Sequence, residues 1–212
     1  MMDQMMPKQK IRTSKIELID ITKAWLTLSF AFALVYSGIS LMGGKPLTQV
    51  LTLPFLLTFA IALFTAGIGF LLHELAHKFT AQHFGCLAEF RAFNQMLFLA
   101  VFLAAVTGFI FAAPGAVMIS GMITRKENGI ISLAGPMMNY VLALLFLGLH
   151  FLFPTLAIVF LTGFFINAWL GTFNLIPFGN FDGFKIFHWS KAVWGAMLAV
   201  GIFLIFFLPQ LL

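Results

Sequence analysis

The sequence predicts an all-α polytopic membrane protein with five to six transmembrane helices and a small membrane-embedded strand or re-entrant segment. Three observations support this prediction. Of the 212 residues, 61% are hydrophobic and only 9% are charged, whereas about 25% of the residues of a typical soluble domain are charged. The charged residues leave five long uncharged runs between them. One of these runs has a length that fits neither one helix nor two.

The five uncharged runs define the predicted helices, because a helix needs about 20 apolar residues to cross the hydrocarbon core of a membrane. The runs are 24–44, 46–73, 92–124, 128–181 and 192–212. The first, second and last runs each fit one helix, and the fourth fits two. We expect the break in the fourth run between His150 and Thr155, because Pro154 is suited to the first turn of the next helix.

The polar part of the chain is too short for a separate soluble domain, since its longest stretch is the N-terminal segment 1–23. We therefore predict one integral membrane domain over 1–212. Five of the twelve lysines and arginines precede the first helix, namely Lys8, Lys10, Arg12, Lys15 and Lys23. Positively charged residues concentrate on the cytoplasmic side of membrane proteins. We therefore expect a cytoplasmic N-terminus and the return of residues 73–91 to that side.

The orientation of the run 92–124 can be predicted from the charged residues that follow it in the sequence. If this run crossed the membrane once, Arg125, Lys126 and Asp182 would lie on the external side. If it returns to its starting side, Lys45 alone among the lysines and arginines is external. The second arrangement agrees far better with the positive-inside rule.

The length of this run predicts a helix followed by an extended segment. Two helices would need about 40 residues, but a helix over 97–112 with an extended return over 113–122 fits the length. The Pro114-Gly115 pair favours a turn, and the β-branched Val117 favours a strand. Extended backbone at this depth has to be buried in protein or line a wet cavity. Two short helices are the alternative.

Residues 73–77 have the pattern H-E-x-x-H at the end of an apolar helix. His73 and His77 are four residues apart and share one helix face, so two imidazole nitrogens can bind one zinc ion. Glu74 is offset from them and can accept a proton from water at the metal. The pattern therefore predicts a zinc site with Glu74 as general base. The alternative is a polar cluster at a helix end that faces the cytoplasm.

A zinc site of a hydrolase needs a third protein ligand and an open position. Asp182 is the candidate, because the orientation argument places it on the same side of the membrane as His73 and His77. A helix cap beside Lys185 is the alternative role for this carboxylate. We expect interfacial or packing positions for the remaining histidines, which are His83, His150 and His188.

Three segments, in this order, resemble the signatures of the site-2 protease family of intramembrane zinc metalloproteases. They are HELAH at 73–77, SLAGPMMN at 132–139 and FNLIPFGNFDG at 173–183. The residues that match the family's G-P-x-x-N pattern and its Asn-Pro-Asp-Gly series are Gly135, Pro136, Asn139, Asn174, Pro177, Asp182 and Gly183. The resemblance covers the chain from about residue 50 to about residue 190.

The resemblance implies a three-helix catalytic core and one zinc ion per chain, held by His73, His77 and Asp182. It also implies a membrane-embedded sheet after the H-E-x-x-H helix, to which the segment GAVMI at 115–119 corresponds. The chain departs from the family by an apolar segment of about residues 96–112, inserted between that helix and that strand.

The predicted function is hydrolysis of a peptide bond within or next to a transmembrane helix, with Glu74 as general base. We expect an amide of Asn139 or Asn174 to stabilise the oxyanion, and helix–helix hydrogen bonding is the alternative role for both. A substrate helix has to unwind before attack, and an exposed strand edge can hold the unwound segment. We expect this edge at Gly115, Ala116 and Val117.

The predicted partners are a transmembrane-helix protein substrate and the lipid bilayer, and we expect no nucleic acid. The alternatives are a non-catalytic zinc-binding membrane protein and a metal-linked transporter. Glu74 argues against the first alternative, because a site that only binds zinc has no need of a base. Many transporters contain broken helices in two matching halves, and we find no such halves in this sequence.

Overall fold

The computed structural model describes residues 13–110 and 114–211 of the chain. These ranges form long apolar helices and one small sheet. The helices are α1 (Lys15–Ser37), α2 (Leu53–Ala62), α3 (Ile68–His83), α4 (Asn94–Thr107), α5 (Arg125–Leu152), α6 (Ala157–Phe173), α7 (Asp182–Trp189) and α8 (Lys191–Ile202). The strands are β1 (Leu87–Ala92) and β2 (Gly115–Ser120).

Five segments of the described chain are long and apolar enough to cross a membrane. They are Lys15–Ser37, Leu53–His83, Arg125–Leu152, Pro154–Phe173 and Lys191–Gln210. The second segment joins α2 and α3 through one wider helical turn at Leu63–Gly67. This architecture confirms the predicted fold class, an all-α polytopic membrane protein with one small sheet.

The first helix begins at Lys15, well before the uncharged run that predicted it. Ser14 caps the helix, and its side-chain oxygen accepts a hydrogen bond from the Glu17 N–H at 3.1 Å, an interaction typical of helix starts. The helix ends at Gly38, whose φ of 66° is a left-handed conformation that glycine adopts without strain. Lys15, Glu17, Asp20 and Lys23, which were expected in a polar segment, therefore belong to α1.

The H-E-x-x-H helix also extends further than predicted. α3 continues beyond His77 to His83, and Lys78 is buried, with 1% of its surface exposed. Lys78 pairs with Glu17 of α1 at 2.7 Å, so its charge is compensated inside the protein. The helix therefore ends ten residues after the uncharged run that predicted it, and the cytoplasmic location of residues 73–91 stays a prediction.

The fourth uncharged run is divided where it was predicted to be. α5 ends at Leu152, and a short tight turn over Pro154–Leu156 leads into α6. Proline has no N–H to donate, and the first turn of a helix needs none from it. The position of the break is thus confirmed.

The run 92–124 forms a helix and a strand, so the alternative of two short helices is wrong. The helix is α4, which packs along α1 and ends earlier than the predicted 97–112. β2 lies within the predicted 113–122 and pairs antiparallel with β1, with Phe90 opposite Val117. β1 was not expected, because residues 73–91 were predicted to form a cytoplasmic segment.

α5 is the central helix of the fold and packs along α3, α6 and α7. α6 approaches α5 closely at Gly163 and Gly171, where a Cβ would collide with Phe146 and Tyr140. α3, α5 and α6 thus form a three-helix core. The start of α7 returns to this core and brings Asp182 towards α3.

Candidate metal centre

The two histidines of the motif meet the aspartate at the start of α7. His73 and His77 lie one turn apart on α3, and their Nε2 atoms are 3.0 Å apart. Oδ2 of Asp182 lies 3.2 Å from Nε2 of His73 and 3.1 Å from Nε2 of His77. All three residues are buried. The described part of the chain contains no second group of this kind close enough to hold a metal ion.

The opposite nitrogen of each imidazole is fixed by a carbonyl oxygen. Nδ1 of His73 lies 2.6 Å from Oδ1 of Asn139, and Nδ1 of His77 lies 2.7 Å from the backbone oxygen of Ile131. A carbonyl oxygen can only accept a hydrogen bond, so Nδ1 is the donor in both contacts. Neutral rings then present the lone pairs of Nε2 to the centre of the cluster, as metal-binding histidines do.

The donor set fits a zinc ion. Two Nε2 lone pairs and a carboxylate oxygen face one another without a hydrogen between them, and a cation resolves this repulsion. Donors of a tetrahedral zinc site with bonds of about 2.0–2.1 Å lie about 3.3–3.4 Å apart, close to the observed 3.0–3.2 Å. Gly135 of α5 leaves the space free, since a Cβ there would lie 2.5 Å from Nε2 of His73.

Asp182 is held in place by the turn that precedes α7. The N–H of Gly183 donates to the backbone oxygen of Asn174 at 2.7 Å, and a Cβ at Gly183 would collide with the Leu175 carbonyl. These two contacts hold the Asp182 carboxyl group beside the two imidazoles, where a cation can bind it as the carboxylate.

Glu74 lies beside the cluster and is not one of its donors. The residue is half-buried and directly follows His73 on α3. Among the described residues, no hydrogen bond or ion pair involves the Glu74 carboxylate. An unengaged carboxylate next to a metal site is suited to exchange protons with water.

Asn139 is bound in a way that favours the helix-contact role over the oxyanion role. Its Nδ2 donates to the backbone oxygen of Gly69 and to Oδ1 of Asn167, both at 3.1 Å. These two bonds use both amide hydrogens, while Oδ1 accepts from His73. Asn139 therefore links α3, α5 and α6 and orients an imidazole.

Asn174 makes a local contact, and Asn167 is a residue that the sequence analysis missed. Nδ2 of Asn174 donates to the Leu170 oxygen one turn earlier, at 2.9 Å. Asn167 is fully buried and can approach α3 only because residue 69 is glycine. The available signal was an asparagine inside an apolar helix, since such residues are usually hydrogen-bonded to a neighbouring helix.

The other predicted site residues occupy separate places. His83 is exposed at the end of α3. His150 and His188 donate from Nδ1 to backbone oxygens of Ala157 and Phe184, so none of the three histidines joins the cluster. The strand with Gly115, Ala116 and Val117 runs alongside α3.

The sequence has relatives among known proteins. It is 37% identical over 187 residues to "Putative zinc metalloprotease MJ0611" of Methanocaldococcus jannaschii, a match that covers 86% of this chain and 89% of that protein. The chain belongs to this zinc metalloprotease family. It is also 34% identical over 131 residues to "Putative zinc metalloprotease Rip2" of Mycolicibacterium smegmatis, covering 53% of this chain and 50% of that protein.

The chain matches no protein-family model, and it matches no solved structure. The membership in the zinc metalloprotease family agrees with the donor set of the cluster and with the apolar helices. The protein is thus a multi-pass membrane member of this family, with three buried residues close enough to hold a metal ion.

Proposed function

We propose that the protein is an intramembrane zinc protease of the site-2 type, which hydrolyses a peptide bond within or next to a transmembrane helix of a membrane-protein substrate. One observation carries this proposal: the donors of His73, His77 and Asp182 converge inside a membrane-crossing bundle. At 1.5 Å per residue, His77 and His73 lie about 9 Å and about 15 Å from the end of α3. A site at this depth can act on residues of a membrane-spanning segment.

The chemistry follows from the roles of the side chains. One bound zinc ion supplies Lewis-acid chemistry and lowers the pKa of water towards about 7. His73, His77 and Asp182 orient their donor atoms, and Asn139 and the Ile131 carbonyl hold the imidazoles. The Glu74 carboxylate takes a proton from the attacking water and returns it to the nitrogen of the leaving amine.

The substrate enters this scheme as an extended segment. The carbonyl groups of a helix are engaged in its own hydrogen bonds, so a substrate helix has to unwind near the cleaved bond. β2 is bound to β1 on one side, and no other strand flanks it in the described residues. We propose that its free edge, from Gly115 to Val117, pairs with the unwound segment.

The site and the N-terminus are proposed to face the cytoplasm. The end of α3, the start of α5 and the turn before α7 meet on one side, where Arg125, Lys126 and Lys185 are located. Lys45 lies near the opposite end of α1. This distribution agrees with the positive-inside rule.

Cysteine labelling tests this orientation in a Cys86→Ser background. Met122 and Met42 are 97% and 72% exposed. Met122 precedes the start of α5, and Met42 follows the end of α1, whereas the beginning of α1 pairs with α3 at Lys78. We expect an impermeant thiol reagent to label Met42→Cys in intact cells and Met122→Cys only after permeabilisation. The reverse pattern would contradict a cytoplasmic site.

A cleavage assay with the purified protein tests the proposed function. We expect a helical membrane peptide to be cleaved in detergent, cleavage to stop when a chelator removes the metal, and added zinc to restore it. The measured quantities are the cleavage rate and the zinc content per chain. Cleavage that persists in metal-free protein would refute the proposal, because the proposed mechanism requires the metal to activate the attacking water.

A non-catalytic zinc-binding protein is the second candidate. Zinc at this site without cleavage of any membrane peptide would favour it. The unengaged carboxylate of Glu74 beside the donors argues for the protease. We propose that nucleic acid is not among the partners of this protein.

A further inference from the structure

The carboxylate of Glu17 joins three parts of the fold near the start of α1. It is fully buried, with 0% of the residue exposed. Oε2 accepts a hydrogen bond from Nζ of Lys78 at 2.7 Å, and Oε1 accepts one from the backbone N–H of Phe90 at 2.9 Å. Lys78 directly follows His77 on α3, and Phe90 lies in β1. Glu17 therefore connects α1 to the helix of the two histidines and to the sheet.

Two further residues on the same face of α1 continue this contact along β1. The Asp20 carboxylate lies beside the backbone of Ala92, and Nζ of Lys23 donates to Oδ1 of Asn94, the first residue of α4, at 2.8 Å. Residues 17, 20 and 23 of α1 are three apart and rise along the helix in steps of about 4.5 Å. Their partners 90, 92 and 94 are two apart, and two residues of extended chain span about 6.6 Å. The different lengths of the side chains accommodate this difference in spacing.

These contacts close one edge of the sheet. N–H groups of residues two apart in a strand point to the same side. β2 occupies one edge of β1, and the N–H groups of Phe90 and Ala92 point to the other edge, towards α1. An unpaired strand edge invites pairing with another chain. Here carboxylates cover β1, and the outer edge of β2 has no neighbouring strand in the described residues.

We propose that Glu17 is a positioning residue for the substrate. Its carboxylate fixes the hairpin of β1 and β2 beside α3 and closes the outer edge of β1. An unwound substrate segment then pairs with β2 only, at a constant distance from His73 and His77. This inference rests on the proposed function, and it gives α1 a role beyond anchoring the chain in the membrane.

Two double variants separate the hydrogen bond to Phe90 from the ion pair. Glu17→Leu with Lys78→Met removes the ion pair and the acceptor at position 17. Glu17→Gln with Lys78→Met removes the ion pair but keeps a side-chain oxygen for the Phe90 N–H. Neither variant leaves an unpaired buried charge, which by itself would destabilise the protein. The two variants therefore differ in the acceptor at position 17.

We expect both variants to bind zinc and to unfold at similar temperatures in detergent. The Phe90 amide of the Leu variant should exchange with deuterium about tenfold faster than that of the Gln variant, and its KM for a membrane peptide should be about tenfold higher, as for the loss of one hydrogen bond. If Glu17 had only a structural role, the Leu variant would differ from the Gln variant in unfolding temperature and zinc content. Its KM would then not rise independently of kcat.

Each measurement can overturn a part of the proposal. Equal exchange at Phe90 in the two variants would show that Glu17 does not fix the hairpin. Faster exchange with equal KM would show that the hairpin does not position the substrate. If the wild-type protein cleaves no membrane peptide, the proposed function fails, and the exchange measurement still decides the role of Glu17. Glu89→Gln, which removes a half-buried carboxylate of β1 that pairs with Arg91, is the control for exchange.

Discussion

Glu74→Gln is expected to lower kcat by about 10²–10⁴-fold, the usual contribution of a general acid–base residue. Glutamine has the shape of glutamate but cannot accept the proton of the attacking water. Zinc content should stay at the wild-type level, because Glu74 is not one of the three converging donors. The unfolding temperature should also be unchanged, since the Glu74 carboxylate forms no hydrogen bond with the described residues. The measurements are kcat for a membrane peptide, zinc per chain and thermal unfolding.

The control for this substitution is Glu127→Gln. Glu127 lies in the exposed first turn of α5, where it forms a capping box with Thr124, and the same chemical change there should leave kcat unchanged. A Glu74→Gln protein that cleaves as fast as wild type would show that another group is the base. A variant that also loses zinc would show that Glu74 contributes to metal binding.

The membrane-crossing helices could be predicted because the bilayer imposes their length and composition. A long uncharged run has few structures available in lipid, where every backbone polar group needs an internal partner. Pro154 marked the break between α5 and α6 for a similarly local reason, the missing N–H. These features depend on residues that are close together in the sequence, and the structure confirms them.

The start of α1 and the strand β1 could not be predicted by the same reasoning. Glu17 and Lys78 were treated as charges that face water, and the partner that allows each to be buried is distant in the sequence. β1 had a recognisable signal, because Ala88 and Phe90 alternate with Glu89 and Arg91. Alternation over so few residues is weak evidence, and the charges favoured a polar loop.

The candidate site also has features that the sequence could predict and features that it could not. The spacing of His73 and His77 defines one helix face, and the distribution of charge placed Asp182 on their side of the membrane. The contacts that hold these residues depend on packing between helices. Asn167 reaches Asn139 only where Gly69 leaves room, and spacing along the chain does not reveal such a contact.

Gly135→Ala is expected to abolish zinc binding at stoichiometric metal concentrations and to lower kcat/KM in proportion. The added Cβ would lie 2.5 Å from Nε2 of His73 and closer still to Nε2 of His77. It therefore occupies the space in which the three donors converge. Changes in the residues that only orient metal ligands cost about 10–100-fold in affinity, and a methyl group against the donors should cost at least as much. Competition with a chelator of known affinity measures the loss.

Gly148→Ala, on the same helix, is the matched control. A Cβ at Gly148 meets no atom within 4 Å, so this variant should bind zinc and cleave as the wild type does. Alanine is favoured over glycine within a helix by about 1 kcal/mol, so helix propensity cannot explain a loss that occurs at Gly135 alone. The Gly135→Ala protein should keep its fold, because α5 packs against α3 through many other residues. Full zinc occupancy in that variant would mean that the metal lies elsewhere, and the assignment of His73, His77 and Asp182 would then have to be abandoned.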